Sequence, residues 1–126
     1  MNISKYRIYY EDTDAGGIVY YANYLKFFER GRTEYIRNLG VSQKELIEKE
    51  GIGFVVKKCE VEYKSSAKLD DLIRVETEIS NQTKVSIEMT QKVYIDNDNT
   101  LLCEGVFLIV CVNKQMKPVR IPDNVF

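Results

Sequence analysis

Apolar positions along this chain recur with two different periods. Residues 3 to 10 alternate and predict a first β-strand. From Tyr20 the period lengthens. Tyr20, Tyr24, Phe27, Phe28, Tyr35, Ile36 and Leu39 share one helical face, with Lys26, Glu29, Arg30, Glu34 and Arg37 largely opposite. This predicts a helix over 20–39. Gly31 falls among the apolar positions. It lowers helix propensity there, which suits a close approach to a sheet. Gly40 reads as the residue that stops the helix. Ser42-Gln43-Lys44-Glu45 has the form of a capping box, opening a short helix that runs to about Glu50 and ends at Gly51.

The remainder alternates with period two. Apolar and charged residues interleave in 59–64 and again in 73–79, and Val85, Ile87, Met89, Val93 and Ile95 continue the pattern. Asp96-Asn97-Asp98-Asn99 predicts a turn. Leu101 to Val112 is apolar almost throughout, which predicts a strand covered on both faces. One strand, two helices and a run of strands give an α+β fold with an antiparallel sheet around one long helix. Without repeats or linkers, residues 1–126 read as a single domain. Glu60, Glu62, Arg74, Glu76, Glu78, Lys84, Glu88 and Lys92 would make the sheet's other face polar. The apolar last strand is then the candidate subunit contact.

Composition narrows the function by exclusion. A chain of 126 residues that is 44% hydrophobic can bury a real core. Its net charge of −1, with both signs interspersed, offers nucleic acid no basic stripe. The longest apolar run, 106–112, is too short to span a bilayer, and the N-terminus lacks the apolar stretch of a signal peptide. A cytoplasmic location is expected. Cys59, Cys103 and Cys111 are odd in number, sit in apolar strand patterns and fit no zinc spacing, so they read as reduced core residues. The chain has no histidine. That removes Ser-His-Asp and Cys-His catalysis and the usual zinc sites. Acid–base chemistry is left to carboxylates, tyrosines, lysines and backbone dipoles.

One segment collects that chemistry. Glu11, Asp12 and Asp14 lie where the first strand ends, Gly16 and Gly17 permit a turn, and the long helix follows. A carboxylate beside a helix N-terminus, with its orphan N–H groups, is suited to attack on a carbonyl. On its residues alone, Asp14 reads first as an Asx-turn or capping residue. However, the run Asp12-Thr13-Asp14, then Gly17-Ile18-Val19-Tyr20-Tyr21, then Asn23-Tyr24, resembles the signature of the hotdog-fold acyl-CoA thioesterases. It is most similar to the branch of 4-hydroxybenzoyl-CoA thioesterase and the Tol–Pal-associated acyl-CoA thioesterases. The order of elements is similar along nearly the whole chain.

The resemblance implies a hotdog fold, hydrolysis of a small or aromatic acyl-CoA without metal or other cofactor, and dimers or tetramers with active sites between subunits. It implies that Asp14 is the catalytic carboxylate, either nucleophile or general base. It also implies that the backbone N–H of Tyr21 is the oxyanion donor and that Gly17 serves the backbone at the site. Many Tol–Pal-associated relatives carry histidine at the Tyr21 position, and the 4-hydroxybenzoyl-CoA enzymes carry tyrosine; a backbone role survives either residue. Asp12 would orient the loop, and Asn23 and Tyr24 would fix the helix start. CoA phosphates need cations, for which Lys64 and Lys68 with Ser65 and Ser66 form a candidate loop. Lys57, Lys58 and Arg74 are further candidates. Tyr20, Tyr24, Phe28 and Phe54 are candidate acyl-pocket walls, or plain core. Glu29 and Arg32 read as a solvated or interface charge pair. The alternatives are a non-catalytic module that binds acyl-CoA or acyl carrier protein, and a structural protein of an envelope-associated complex.

Overall fold

A computed structural model describes residues 1–123 and 125–126. Five strands form one antiparallel sheet: β1 (Asn2–Arg7), β2 (Gly53–Tyr63), β3 (Leu72–Gln82), β4 (Ser86–Ile95) and β5 (Leu101–Val112), in the order β1-β3-β4-β5-β2. Helix α1 (Tyr24–Asn38) lies across one face. A short helix α2 (Gln43–Glu45) continues as a π-helical turn, Leu46–Glu50. This is the expected hotdog arrangement.

The alternation of β3, β4 and β5 sets the core. Val75, Val93, Cys103 and Phe107 pack with Phe27 and Phe28 of α1, Thr77 and Gln91 lie beneath Gly31, and Met89 belongs to a second cluster with Leu46, Ile87, Cys111, Ile121 and Val125. The opposite face carries Glu76, Lys92 and Glu104 in cross-strand register, as the charge pattern requires. Arg74 belongs to that face. Its guanidinium pairs with Glu76 (2.9 Å) and Asp96 (3.2 Å), donates to Asn99 (2.7 Å) and stacks on Tyr94. With its donors engaged, Arg74 is a poor candidate for a CoA phosphate.

Several boundaries differ from the periodicity. The helix begins at Tyr24, not at residue 20. Val19 donates to the Ala67 carbonyl (2.9 Å) and Tyr20 is extended, so the sheet-side contacts hold the chain out of helical geometry until a separate 3-10 turn at Tyr21–Asn23. The stop is as expected: Gly40 takes φ +84, and Gly40 and Val41 donate back to Arg37 (2.9 Å) and Ile36 (3.4 Å). Ser42 Oγ accepts the Glu45 N–H at 3.2 Å. β1 ends at Arg7, before a turn at Tyr10–Asp12. β2 begins at Gly53, six residues earlier than its alternation shows, because a bulge between Val56 and Lys58 breaks the period. β5 is buried on its helix side, but on the other face Val106 remains 41% exposed.

Cys103 and Cys111 are buried, but Cys59 is exposed. β2 is an edge strand, and α1 leaves its inner-facing residues Val56, Cys59 and Tyr63 open. Burial pushes the Cys103 thiol from 9.0 up to about 12. It also pushes the Tyr24 phenol from 10.0 up to about 12 against the opposing hydrogen bond from Ala67. Both groups are neutral when protonated, and the unfolded chain ionises them first. Stability is therefore fully present below about pH 9 and is lost as pH rises toward 12. Urea midpoints should fall across that range, less steeply in Cys103→Ala. A flat profile would contradict the burial.

Candidate active site

The segment between β1 and α1 is tied down residue by residue. Asp12 Oδ2 accepts the Tyr9 N–H (2.9 Å), and the Asp12 carbonyl accepts both the Tyr20 N–H (3.1 Å) and the Asn23 side-chain amide (2.9 Å). Asp12 thus orients the loop, and Asn23 joins the 3-10 turn to it. Between these anchors Thr13 pairs with Val19, the Asp14 N–H donates to the Ile18 carbonyl (2.9 Å), and the Gly17 N–H donates to the Asp14 carbonyl (3.0 Å). This reversal needs Gly17 at φ +79, a region that penalises side chains.

Asp14 sits exposed at the tip of the reversal. Its Oδ1 accepts the Gly16 N–H at 2.8 Å, which is an Asx turn. Among the described residues no donor reaches Oδ2. The turn and the chemical reading are therefore compatible: one oxygen sets the carboxylate's direction and the other is free to take a proton or attack.

Beyond the anchors lies Tyr21. The first N–H groups of its 3-10 turn are orphans by geometry, and among the described residues no acceptor reaches that of Tyr21 or Ala22. The Tyr21 ring is 59% exposed, 5.0 Å from Tyr20 and edge-on to Tyr63 at 5.8 Å. Tyr20 is exposed beside it. Tyr24 is not: it is 2% exposed, and its hydroxyl accepts the Ala67 N–H at 3.1 Å. Of its two readings, acyl-pocket wall or plain core, the buried ring of Tyr24 takes the second. Phe28 is likewise buried, whereas Phe54 borders a pocket between α1 and β2.

The Tyr24 bond fixes the Lys64–Lys68 loop, as do Lys64 and Ser65 N–H donations to the Leu102 carbonyl (2.8 and 3.0 Å). Ile18 pairs with Lys68, so this loop lies against the Asp14 reversal. The structure thus brings together the two segments that the sequence singled out separately. The lysines differ. Lys64 is paired with Glu62 (2.9 Å), which holds its pKa up, and Lys58 is paired with Glu60 (3.3 Å). Among the described residues Lys68 has no carboxylate within 4.0 Å.

Glu29 and Arg32 do not form the expected pair. Glu29 accepts from the Thr33 hydroxyl (3.1 Å), while Arg32 turns inward onto Phe107 and Gln91. Two residues that touch these candidates, Tyr63 against Tyr21 and Gln91 against Arg32, went unremarked in the sequence. Tyr63 ends an edge strand whose cover is incomplete, which alternation cannot reveal. Gln91 did leave a signal: it is the polar residue in the inward frame Ile87, Met89, Gln91, Val93.

Residues 9–125 match the thioesterase-like superfamily. The chain is 46% identical over 120 residues to the acyl-CoA thioester hydrolase YbgC of Escherichia coli O157:H7, covering 94% of this chain and 88% of that protein. A probable thioesterase from Bartonella henselae superimposes with a TM-score of 0.91 at 34% identity, over 95% of this chain and 98% of the other. A DHNA-CoA thioesterase from Staphylococcus aureus superimposes with a TM-score of 0.88 at 28% identity, over 94% and 79%.

Proposed function

This chain belongs to the thioesterase-like superfamily, and on that premise we propose that it hydrolyses a small or aromatic acyl-CoA through Asp14 and the N–H of Tyr21. Its relatives support the reaction class: it is a thioester hydrolase, acting on acyl-CoA. The observation that carries the residue roles is the half-engaged carboxylate of Asp14 on a loop tied through Asn23 to a turn with unmatched N–H groups.

The thioester carbonyl is placed with its oxygen toward the Tyr21 N–H, where negative charge develops as the carbon becomes tetrahedral. Asp14 Oδ2 either takes a proton from the attacking water or attacks first and is released from the anhydride by water. By either route a C–O bond forms, the C–S bond breaks, and the CoA thiolate leaves and is protonated. Donors at such positions are worth about 3–4 kcal/mol in the transition state. Gly17 keeps the reversal free of a side chain, and Tyr20 flanks the carbonyl.

For the carrier, Lys68 is the preferred phosphate contact, with Lys64, Ser65 and Ser66 beside it. Lys68→Ala should raise KM about fivefold, equivalent to ~1 kcal/mol, with kcat preserved. An unchanged KM at low salt would remove Lys68 from the site. The carrier is CoA or, in the second case, acyl carrier protein presenting the same phosphopantetheine arm.

The protein acts as a homodimer or homotetramer. β2 is an unprotected edge with open apolar side chains. Two copies related by a two-fold axis pair such strands antiparallel. The Gly53 end of one β2 then lies beside the Tyr63 end of the other, so each Asp14 loop meets the partner's pocket. Sedimentation as a single chain would refute this.

Thioester hydrolysis, followed by loss of thioester absorbance, tests the reaction itself. Neutral short-chain, long-chain and aromatic acyl-CoAs form the panel. Turnover is expected on the smaller acyl groups. Binding without turnover on every substrate would favour the non-catalytic acyl-binding module.

A further inference from the structure

Arg32 differs from the other cations of the chain. Its guanidinium lies 4.6 Å from the Phe107 ring centroid, and its Nη1 donates to Gln91 Oε1 at 3.0 Å. Gln91 is wholly buried, and its amide donates to the Phe28 carbonyl (2.9 Å) and to Thr77 Oγ1 (2.8 Å). Arg32 is therefore held from beneath by a side chain that is itself locked. Among the described residues, however, no carboxylate lies within 4.0 Å of it. Most of its N–H donors are unmatched.

A partly buried guanidinium stays charged and is costly without a counter-ion. Burial pulls the Arg32 pKa below its ordinary value, against the opposing pull of Glu29 and Cys59. The group borders a pocket of about 140 Å³ whose apolar walls include Phe54, Val56, Met89 and Ile109. Glu29 also lines it, but its carboxylate accepts from the Thr33 hydroxyl and forms no pair with Arg32 within 4.0 Å. An apolar cavity near that size accommodates a benzene molecule, about six heavy atoms. A cation at the wall of a small, mostly apolar pocket selects a ligand that is apolar along its length and anionic at the end that meets the cation.

We propose that Arg32 is a specificity determinant and that this pocket takes a compact acyl group ending in a carboxylate, as in the monothioester of a short dicarboxylic acid. The inference rests on the thioesterase reading above and on pairing through β2, which brings Asp14 of the partner subunit toward the pocket. The guanidinium binds the carboxylate as a fork, Phe107 keeps the fork's plane, and the apolar walls take the methylenes.

The probes are glutaryl-CoA and its neutral isostere 5-methylhexanoyl-CoA, with kcat/KM measured for each on the wild-type protein and on Arg32→Gln. The wild type should favour glutaryl-CoA by about 30-fold, within the range for one charge-assisted contact, and Arg32→Gln should abolish that preference. Arg32→Lys keeps the charge without the fork and should retain part of it. This second variant also serves if Arg32→Gln melts early. A wild type that favours the neutral isostere, or an Arg32→Gln that slows both substrates equally, would overturn the proposal and leave Arg32 a packing residue. If neither thioester is hydrolysed, turnover on the neutral panel above decides whether the thioesterase reading itself fails. Equilibrium binding of the same pair then decides: an Arg32-dependent preference for glutaryl-CoA sustains the pocket, and equal affinity sinks it.

Discussion

Asp14→Asn should fold normally and lose almost all turnover. The substitution is chosen because of the Asx turn. The asparagine carbonyl oxygen can accept the Gly16 N–H as Asp14 Oδ1 does at 2.8 Å, so the reversal and the placement of Ile18 and Val19 survive. What asparagine lacks is a carboxylate oxygen able to hold a proton or form an anhydride. General acid–base participation is worth about 10²–10⁴ in rate, so kcat should fall by that factor with KM little changed. Unfolding stability should stay within about 0.5 kcal/mol, as for other exposed substitutions that break no contact. Asp14→Ala is the poorer experiment, because it removes the turn together with the chemistry. A folded Asp14→Asn protein hydrolysing thioester within a few-fold of wild type would dismiss Asp14 as base or nucleophile and leave it a turn residue. Asp12 is the internal contrast: its carboxylate is committed to the Tyr9 N–H, so it positions the loop and has no free oxygen aimed at substrate by that bond.

The sequence carried the strands and the helix because their periods come from one-sided burial. Met89 and Val93 on β4 and Phe27 and Phe28 on α1 occupy the faces that alternation and helical spacing assign them. Errors fall where a third segment intervenes. The Tyr20 end of the helix is pulled straight by the Val19–Ala67 bond, a contact across 48 positions that no local pattern encodes. Cys59 looks like core because its neighbours alternate, yet it stands on an edge strand, and edge position is a property of sheet order. The chemical candidates separate the same way. Asp14 and Gly17 were readable as a motif because their roles are local, an Asx turn and a positive φ. Arg32 was misread as a solvated or interface partner of Glu29 because its actual neighbours, Gln91 and Phe107, lie on two other elements. Tyr24 matched the signature, but its hydroxyl is spent on a loop 43 residues away.

Gly31→Ala tests how closely α1 must sit on the sheet. In an exposed helix interior this change stabilises by about 1 kcal/mol, because alanine restricts the unfolded chain. Here the sign should reverse. A Cβ on Gly31 would stand 2.8 Å from Val75 Cγ1, 3.0 Å from Gln91 Nε2 and 3.0 Å from Thr77 Oγ1. None of these neighbours can yield cheaply. Val75 is wholly buried, and the Gln91 amide is held by its donations to Thr77 Oγ1 and the Phe28 carbonyl. The helix must lift or the amide must break its bonds, and either costs about 1–3 kcal/mol net. For a domain of this size that lowers Tm by roughly 3–5 °C per kcal/mol. A double-mutant cycle identifies the cause. Val75→Ala alone should cost ~2 kcal/mol as a cavity, but combined with Gly31→Ala it vacates the space that the new methyl needs. The pair should then cost about 1 kcal/mol less than the two changes summed. Strict additivity would mean that Val75 is not the obstacle, and a Gly31→Ala protein more stable than wild type would mean that α1 does not rest on the sheet at that distance. The same close approach lets Gln91 reach both the helix backbone and Arg32. Lifting α1 should therefore also erode any Arg32-dependent preference for a carboxylated thioester, a loss that instability elsewhere in the fold would not reproduce.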